Sequence, residues 1–326
     1  MRVVAYSIKS FEKELLAKAN QKKHDITLIS NALSLDTAIY AEGKDAVVVF
    51  TNDDVSAPVI NKLADMGISY IATRSVGTDH IDLLEAEKRA IKVASVPAYS
   101  PEAIAEFAVT LALALSRQLI STVDHCRNFD FTVGPHPGFN FHGKTVGIIG
   151  LGHTGLAAAS IFKGFGCRVL GYDISMPLKS SYVTPVGLER LLSEADIISL
   201  HVPLTSETQH LINAKSIDLM KPGVMLINTS RGAVINTADV LDGLDAGKIG
   251  YLGIDVYENE RGLFLSDKKL DPTTDTLLDK LMKHFNVIVT PHQAFFTTEA
   301  LNEIALRTIQ NLDEWQGSII RGKVCA

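Results

Sequence analysis

The stretch KTVGIIGLGHTG, residues 144–155, decides the fold. Val146, Ile148 and Ile149 form a short apolar run of the kind that fills a buried parallel strand. Gly150, Gly152 and Gly155 follow with the spacing G-x-G-x-x-G, and the apolar segment from Leu156 to Phe165 then reads as a helix. Strand, glycines and helix in this order are the context of a dinucleotide-binding turn. The first glycine permits the tight turn, the second lets backbone approach a pyrophosphate, and the third lets helix and strand pack closely. N–H groups at the helix start then face the phosphates, aided by the helix dipole.

A second strand, Cys167 to Tyr172, ends on Asp173, close to the ~20-residue spacing of a ribose-binding carboxylate. A carboxylate there accepts hydrogen bonds from a ribose 2′-hydroxyl and repels a 2′-phosphate, which favours NAD over NADP.

The chain has 326 residues, 46% hydrophobic and 21% charged, enough for two packed domains. Its formal net charge of −6 argues against nonspecific binding to nucleic acid or an anionic membrane. Cys126, Cys167 and Cys325 are far apart and lack C-x-x-C spacing, so neither a disulfide framework nor a metal site is expected. The first residues run directly into a strand without a signal-peptide pattern, and the most apolar helical stretch, Ala103 to Leu115, contains Glu106 and is too short to span a bilayer. The expectation is a soluble cytoplasmic protein.

Outward from the glycine turn, both halves alternate strands and helices. Strands are expected at Val3–Tyr6, Ile26–Ile29, Ala46–Phe50, Tyr70–Ala72 and Lys92–Ala94, then at Ile197–Leu200, Val224–Asn228, Leu252–Ile254 and Val287–Thr290. Short helices are expected at Glu207–Leu211 and Ala214–Met220, and longer ones from Glu102 to about Arg117 and from Glu299 to about Trp315. This alternation implies an α/β protein with two doubly wound parallel sheets. The second is the Rossmann NAD-binding domain, residues 101–296. The first, flavodoxin-like and lacking a glycine turn after its first strand, is the substrate domain. It is discontinuous, residues 1–100 and 297–326, because the last helix returns to it. The loop at 132–143 is rich in Gly and Pro, and its His136 and His142 read as solvated loop residues because their spacing fits no common metal site.

Three residue groups stand just beyond strands of the second domain: Arg231 after Val224–Asn228, the acids of the 255–260 run (Asp255, Glu258, Glu260) after Leu252–Ile254, and His292 after Val287–Thr290. The C-terminal ends of parallel strands share the sheet edge that carries the glycine turn. There Arg231, one of these acids and His292 suit hydride transfer to the ketone of a 2-oxo acid. Arginine holds the adjacent carboxylate by a planar two-pronged contact. Protonated His292 donates to the ketone oxygen as hydride arrives. A neighbouring carboxylate favours the charged imidazole. Residue spacing does not choose among the three acids. In the first domain, Gly77 of the Arg74–Thr78 loop lets backbone N–H groups approach an anion, and Tyr99, between Pro97 and Pro101, stands beside the cleft.

These segments together resemble the D-isomer-specific 2-hydroxyacid dehydrogenases, and within them the D-lactate dehydrogenases, over nearly the whole chain. The resemblance rests on residues 75–79 (SVGTD), 96–101 (VPAYSP), 150–155 (GLGHTG), 201–205 (HVPLT), 228–232 (NTSRG), 255–260 (DVYENE) and 291–296 (PHQAFF). It implies that Arg231 holds the substrate carboxylate, that His292 is the acid/base and that Glu260 is its partner. It places Asp255 near the nicotinamide carboxamide and Asp173 on the adenosine ribose, with His153, Thr154, Val202, Pro203, Thr229 and Ser230 lining the cofactor. Backbone at Val76 and Gly77 then helps to bind the carboxylate, and Tyr99 and Phe295 close the pocket. The expected function is NAD-dependent reduction of pyruvate to D-lactate by a cytoplasmic homodimer, without metal. A dehydrogenase for a bulkier branched-chain or aromatic 2-oxo acid, and an NAD-sensing binding protein like the family's corepressors, are the alternatives.

Overall fold

The structure, a computed structural model, describes every residue except 98, 135–136, 176–179, 270–274 and 321–326, and only the backbone of 318–320. His136 therefore lies outside the described residues. The chain forms two compact units, residues 1–100 with 296–326, and residues 101–295.

The first unit holds five parallel strands, β1 (Arg2–Ala5), β2 (Asp25–Leu28), β3 (Ala46–Val49), β4 (Tyr70–Thr73) and β5 (Lys92–Ala94), in the order β2-β1-β3-β4-β5. The central strands β3 and β4 are buried at every position, whereas β2 at the edge alternates exposed with half-buried residues. Helices α1 (Ser10–Asn20), α2 (Ala57–Asp65), α3 (Leu83–Lys88) and the last helix of the chain, α11 (Thr298–Ile320), cover its faces. Trp315 of α11 stacks on Tyr70 at 4.8 Å between ring centroids, which ties the end of the chain to β4. Asp82 starts α3 by accepting the Glu85 N–H.

The second unit begins with α4 (Pro101–Ser116) and α5 (Leu119–Arg127). Then come β6 (Thr145–Ile149), α6 (His153–Gly164), β7 (Arg168–Tyr172), β8 (Thr184–Pro185), α7 (Leu188–Glu194), β9 (Ile197–Leu200), α8 (Ala214–Leu219), β10 (Val224–Asn228), α9 (Thr237–Asp245), β11 (Ile249–Ile254), α10 (Thr276–Lys283) and β12 (Val287–Val289). All seven strands are parallel, in the order β12-β11-β10-β9-β6-β7-β8. The chain winds outward in both directions from β6, so the sheet's switch point falls between β6 and β9, beside the glycine turn. One apolar layer, including Leu226, Leu252 and Leu281, fills one face; another, including Ile148, Phe162 and Leu111, fills the other.

The structure departs from the sequence expectation at one expected helix, and it adds α5, α7, α10 and β8 to the elements read there. Glu207–Leu211 is not a helix: residues 206–210 form a turn in which Thr208 Oγ donates to the Pro203 carbonyl and Thr205 N donates to Thr208 Oγ. These side chains compete for the groups a helix would use. Edge strand β8 was not anticipated, being two residues long and containing Pro185, a residue that sheets tolerate at their edges.

Candidate active site

The glycine turn closes on itself as its spacing demands. Gly150 has φ +92° and lies against the His201 carbonyl, 2.5 Å from where a Cβ would stand. A Cβ on Gly155 would come within 1.9 Å of the Gly150 carbonyl oxygen, so any side chain there would force α6 off β6. Gly152 differs: a Cβ there would meet nothing within 4 Å. The middle glycine thus borders open space at the start of α6, where no side chain caps the helix, and His153 and Thr154 are its first two residues. Asp173, at the end of β7, accepts the Leu151 N–H at 2.7 Å through one oxygen and the Ser175 N–H at 2.9 Å through the other. It therefore braces the same turn. After β9, Val202 and Pro203 continue the rim, and Val202 Cγ1 approaches the Gly150 side of the turn. After β10, Thr229 is buried and its hydroxyl has no partner among the described residues. An open helix start, a bare glycine and an orphaned buried hydroxyl on one sheet edge are what a bound dinucleotide would complete.

The next three strands in order supply the titratable groups. Asn228, fully buried at the end of β10, shapes the arginine turn: its Oδ1 accepts from Ser230 N and Ser230 Oγ, and its Nδ2 donates to the Arg231 carbonyl at 2.8 Å. Its place just before Thr229 was visible in the sequence, but nothing there announced this role. Arg231 itself is extended, and its Nη1 donates to the Ser230 carbonyl.

The three acids of the 255–260 run have three different occupations. Asp255 is fully buried and accepts from Thr290 Oγ at 2.6 Å, Gln293 N at 2.9 Å and Ala294 N at 2.8 Å. Burial pushes its carboxyl above the usual range, opposed by these donors and by the His292 charge. In this arrangement Asp255 holds the turn that carries His292. Glu258 is engaged by His210 Nε2 and by the Thr237 N–H at the start of α9. Glu260 faces His292, with 2.7 Å between its Oε1 and the ring Nδ1, while its Oε2 accepts the Tyr257 N–H at 3.0 Å.

His292 sits in a left-handed backbone conformation, φ +54°, with its N–H donated to the Asp255 carbonyl at 2.7 Å. Burial alone would depress its pKa. The Glu260 hydrogen bond and the charges of Glu260 and Asp255 outweigh burial and the opposing Arg231 charge, so the net shift is upward. An ionised Glu260 accepts only, so Nδ1 carries a proton toward it, and Nε2 is left as the nitrogen that exchanges protons. Phe295, two residues beyond Gln293, is buried.

Val76, Gly77 and Tyr99 belong to the first unit. There the Ser75 hydroxyl joins the Thr73 hydroxyl and the Gly77 carbonyl, each at 2.7 Å, and Val76 at the tip is 47% exposed. Tyr99 is half-buried after β5. His142 is exposed. Among the described residues, no cluster of three or more His, Cys, Asp or Glu is placed to hold a metal ion, and no single helix is long and apolar enough to cross a membrane.

Comparison with known proteins identifies the family and the fold. The family model described as D-isomer specific 2-hydroxyacid dehydrogenase, NAD binding domain, matches residues 109–294. A D-lactate dehydrogenase of Escherichia coli strain K12 is 41% identical over 100% of this chain and 98% of its own length. The solved structure of a pyruvate reductase of Chlamydomonas reinhardtii superposes with a TM-score of 0.90 at 41% identity, covering 97% of this chain and 96% of that one. A D-lactate dehydrogenase of Aquifex aeolicus, solved with NAD and lactic acid, superposes with a TM-score of 0.88 at 33% identity, covering 98% of this chain and 96% of that one.

Proposed function

This chain belongs to the D-isomer-specific 2-hydroxyacid dehydrogenases, and from that premise we propose that it is the NAD-dependent D-lactate dehydrogenase type, reducing pyruvate to D-lactate. The observation that carries the reading is the Glu260–His292 pair at 2.7 Å, within electrostatic reach of Arg231, on the sheet edge that holds the glycine turn.

When bound at that turn, NADH supplies the hydride. The residues of this chain do the rest. The α6 start and Gly152 would receive the pyrophosphate and Asp173 the adenosine ribose, and His153, Thr154, Val202, Pro203, Thr229 and Ser230 would line the rest of the cofactor. Asp255 serves the carboxamide end through the turn it anchors. Arg231 holds the carboxylate of pyruvate by a two-pronged contact and so orients the ketone. Phe295, buried two residues beyond Gln293, bounds the substrate's place on the side of this unit. His292, protonated, gives its Nε2 proton to the ketone oxygen as charge develops there, and Glu260 stabilises the imidazolium beforehand. In the reverse direction neutral His292 removes the hydroxyl proton of D-lactate.

The upward shift of the His292 pKa keeps more of the ring in the acid form that reduction uses than an unperturbed imidazole would have. A kcat/KM series across pyruvate, branched-chain and aromatic 2-oxo acids tests the substrate. Highest specificity for pyruvate supports the reading, highest specificity for an aromatic acid replaces the substrate, and no NADH oxidation with any of them replaces the enzyme with a sensor.

The reading includes a homodimer in the cytoplasm. None of the residues of α5 is buried, yet Leu119, Ile120 and Val123 lie on it. Beside them runs a groove of about 590 Å³ walled in part by Tyr251, Met282 and Phe285. An apolar face of this kind is suited to a second copy. Sedimentation at micromolar concentration giving twice the chain mass supports it; a monomer at that concentration contradicts it.

A further inference from the structure

We propose that His210 and Glu258 are a positioning pair that sets the location of Arg231 relative to the His292–Glu260 pair. The proposal rests on the reading of Arg231 as the carboxylate clamp.

Three segments meet at Glu258. The first is 210–212, which runs beside the chain that leaves the arginine turn: His210 N donates to the Ala233 carbonyl at 2.8 Å, Ile212 N donates to the Val234 carbonyl at 3.1 Å, and Ile212 pairs with Ile235. The second is that chain itself, which reaches α9 at Thr237 and there donates its N–H to Glu258 Oε2 at 3.1 Å. The third is the acid turn 255–260. His210 grips the first two through its backbone and the third through its ring, whose Nε2 lies 2.5 Å from Glu258 Oε1.

Between the arginine turn and the acid turn there is no room for a side chain. A Cβ on Gly232 would fall 2.0 Å from the Tyr257 carbonyl carbon and 2.4 Å from Glu258 N. Arg231 precedes that contact by one residue, and Glu260 follows it by two. A change in how these two backbones abut therefore moves the guanidinium against the acid that holds His292. The His210–Glu258 bond spans this junction from outside.

Two features mark the pair as more than surface decoration. His210 is in the left-handed region, φ +50°, a conformation uncommon for a residue with a β-carbon. Glu258 is kept ionised: burial would raise its pKa, but the Thr237 N–H and His210 outweigh burial and hold it below the usual range. An anion at the start of α9 also meets the favourable end of the helix dipole.

The test separates a positioning role from a stabilising one. His210→Asn removes the ring but tolerates the left-handed backbone, as asparagine does. Glu258→Ala removes the other partner. His210→Gln is the conservative rescue, since its amide can still donate to Glu258 and since Gln21 and Gln118 of this chain already adopt φ +48° and +50°. Steady-state kinetics with pyruvate and NADH, NADH titration and thermal melts are measured for each, alone and combined with Arg231→Lys. The expected result is a roughly tenfold rise in pyruvate KM with a smaller fall in kcat for His210→Asn and Glu258→Ala, unchanged NADH affinity, recovery in His210→Gln, and loss of the effect when Arg231 is already lysine. A lower melting temperature with unchanged KM and kcat in both disrupting variants overturns the proposal. So does an effect of the same size in the Arg231→Lys background. If Arg231→Lys alone leaves pyruvate KM and kcat untouched, the carboxylate role of Arg231 falls, and the pair's function falls with it.

Discussion

Replacing Glu260 with glutamine removes one charge from the site and keeps its shape. The glutamine carbonyl can still accept from His292 Nδ1, as Glu260 Oε1 does at 2.7 Å, but its NH2 then replaces the oxygen that accepts the Tyr257 N–H. What disappears is the attraction between carboxylate and imidazolium, about 4 kcal/mol for unit charges 4 Å apart at an effective dielectric near 20. In proteins generally, an opposite charge this close moves a titration by roughly 1–3 pH units, or about 1.4–4 kcal/mol. Both figures sit in the same range, so kcat/KM for pyruvate reduction near pH 7.5 should fall by about 10- to 1,000-fold. The basic limb of the pH profile should move to lower pH, because burial and the Arg231 charge, which oppose protonation of His292, now face only the more distant Asp255. At acid pH the variant should recover much of its activity. Stability carries the same sign. A His whose folded pKa is raised lends stability that is full below its unfolded value near 6.5 and is lost as pH rises through the folded value. The melting difference between wild type and Glu260→Gln should therefore be larger at pH 6 than at pH 9. The assay is NADH absorbance decay with pyruvate across pH 5–9. A variant whose rate falls by the same factor at every pH, with the limb unmoved, would refute the assignment of Glu260 as the group that keeps His292 protonated.

Other substitutions probe the remaining parts. Arg231→Lys should raise pyruvate KM and lower kcat by about tenfold or more each, since an ammonium cannot make the planar two-pronged contact; steady-state kinetics check this. Gly152→Val and Gly155→Ala should part company. The first leaves the melting temperature nearly unchanged, because its Cβ meets nothing within 4 Å, but weakens NADH binding strongly. The second lowers stability by about 1–3 kcal/mol or prevents folding, because its Cβ would overlap the Gly150 carbonyl. Calorimetry and fluorescence titration distinguish them. Asp173→Asn keeps an acceptor for the Leu151 N–H while removing the charge, so the preference for NADH over NADPH should shrink by about tenfold with little loss of stability.

Much of this architecture was legible because the relevant signals were local. β6 is buried at all five positions and leads straight into glycines whose spacing has one geometric purpose, so the strand, turn and helix could be read together. The all-parallel order of both sheets followed from the alternation of strand and helix. Other helices were harder to place. α5 buries none of its residues, so its apolar side chains form no stripe that points to a core. α10 lies inside a charged stretch that masked its short leucine pattern; in the structure Leu278 and Leu281 turn inward while Lys280 and Lys283 face out. At the site, placing Arg231, an acid and His292 after three strands required only the rule that parallel strands end on one edge. Choosing among Asp255, Glu258 and Glu260 was beyond spacing, because their partners, Thr290 and residues 293–294, His210 with Thr237, and His292, are distant in sequence. Glu260 was singled out by family resemblance alone. The bracing of the arginine turn by Asn228 and the grip of Asp255 on the histidine turn had no sequence signature.

The central claim is that His292 moves the proton while other groups bind the cofactor and the substrate. The most direct measurement compares wild type with His292→Gln, using NADH fluorescence titration for binding and single-turnover NADH oxidation with saturating pyruvate for chemistry. NADH affinity within about twofold of wild type, with a chemical step slower by about 10²–10⁴-fold, is the predicted result. A chemical step that runs at the wild-type rate without the imidazole would contradict the account.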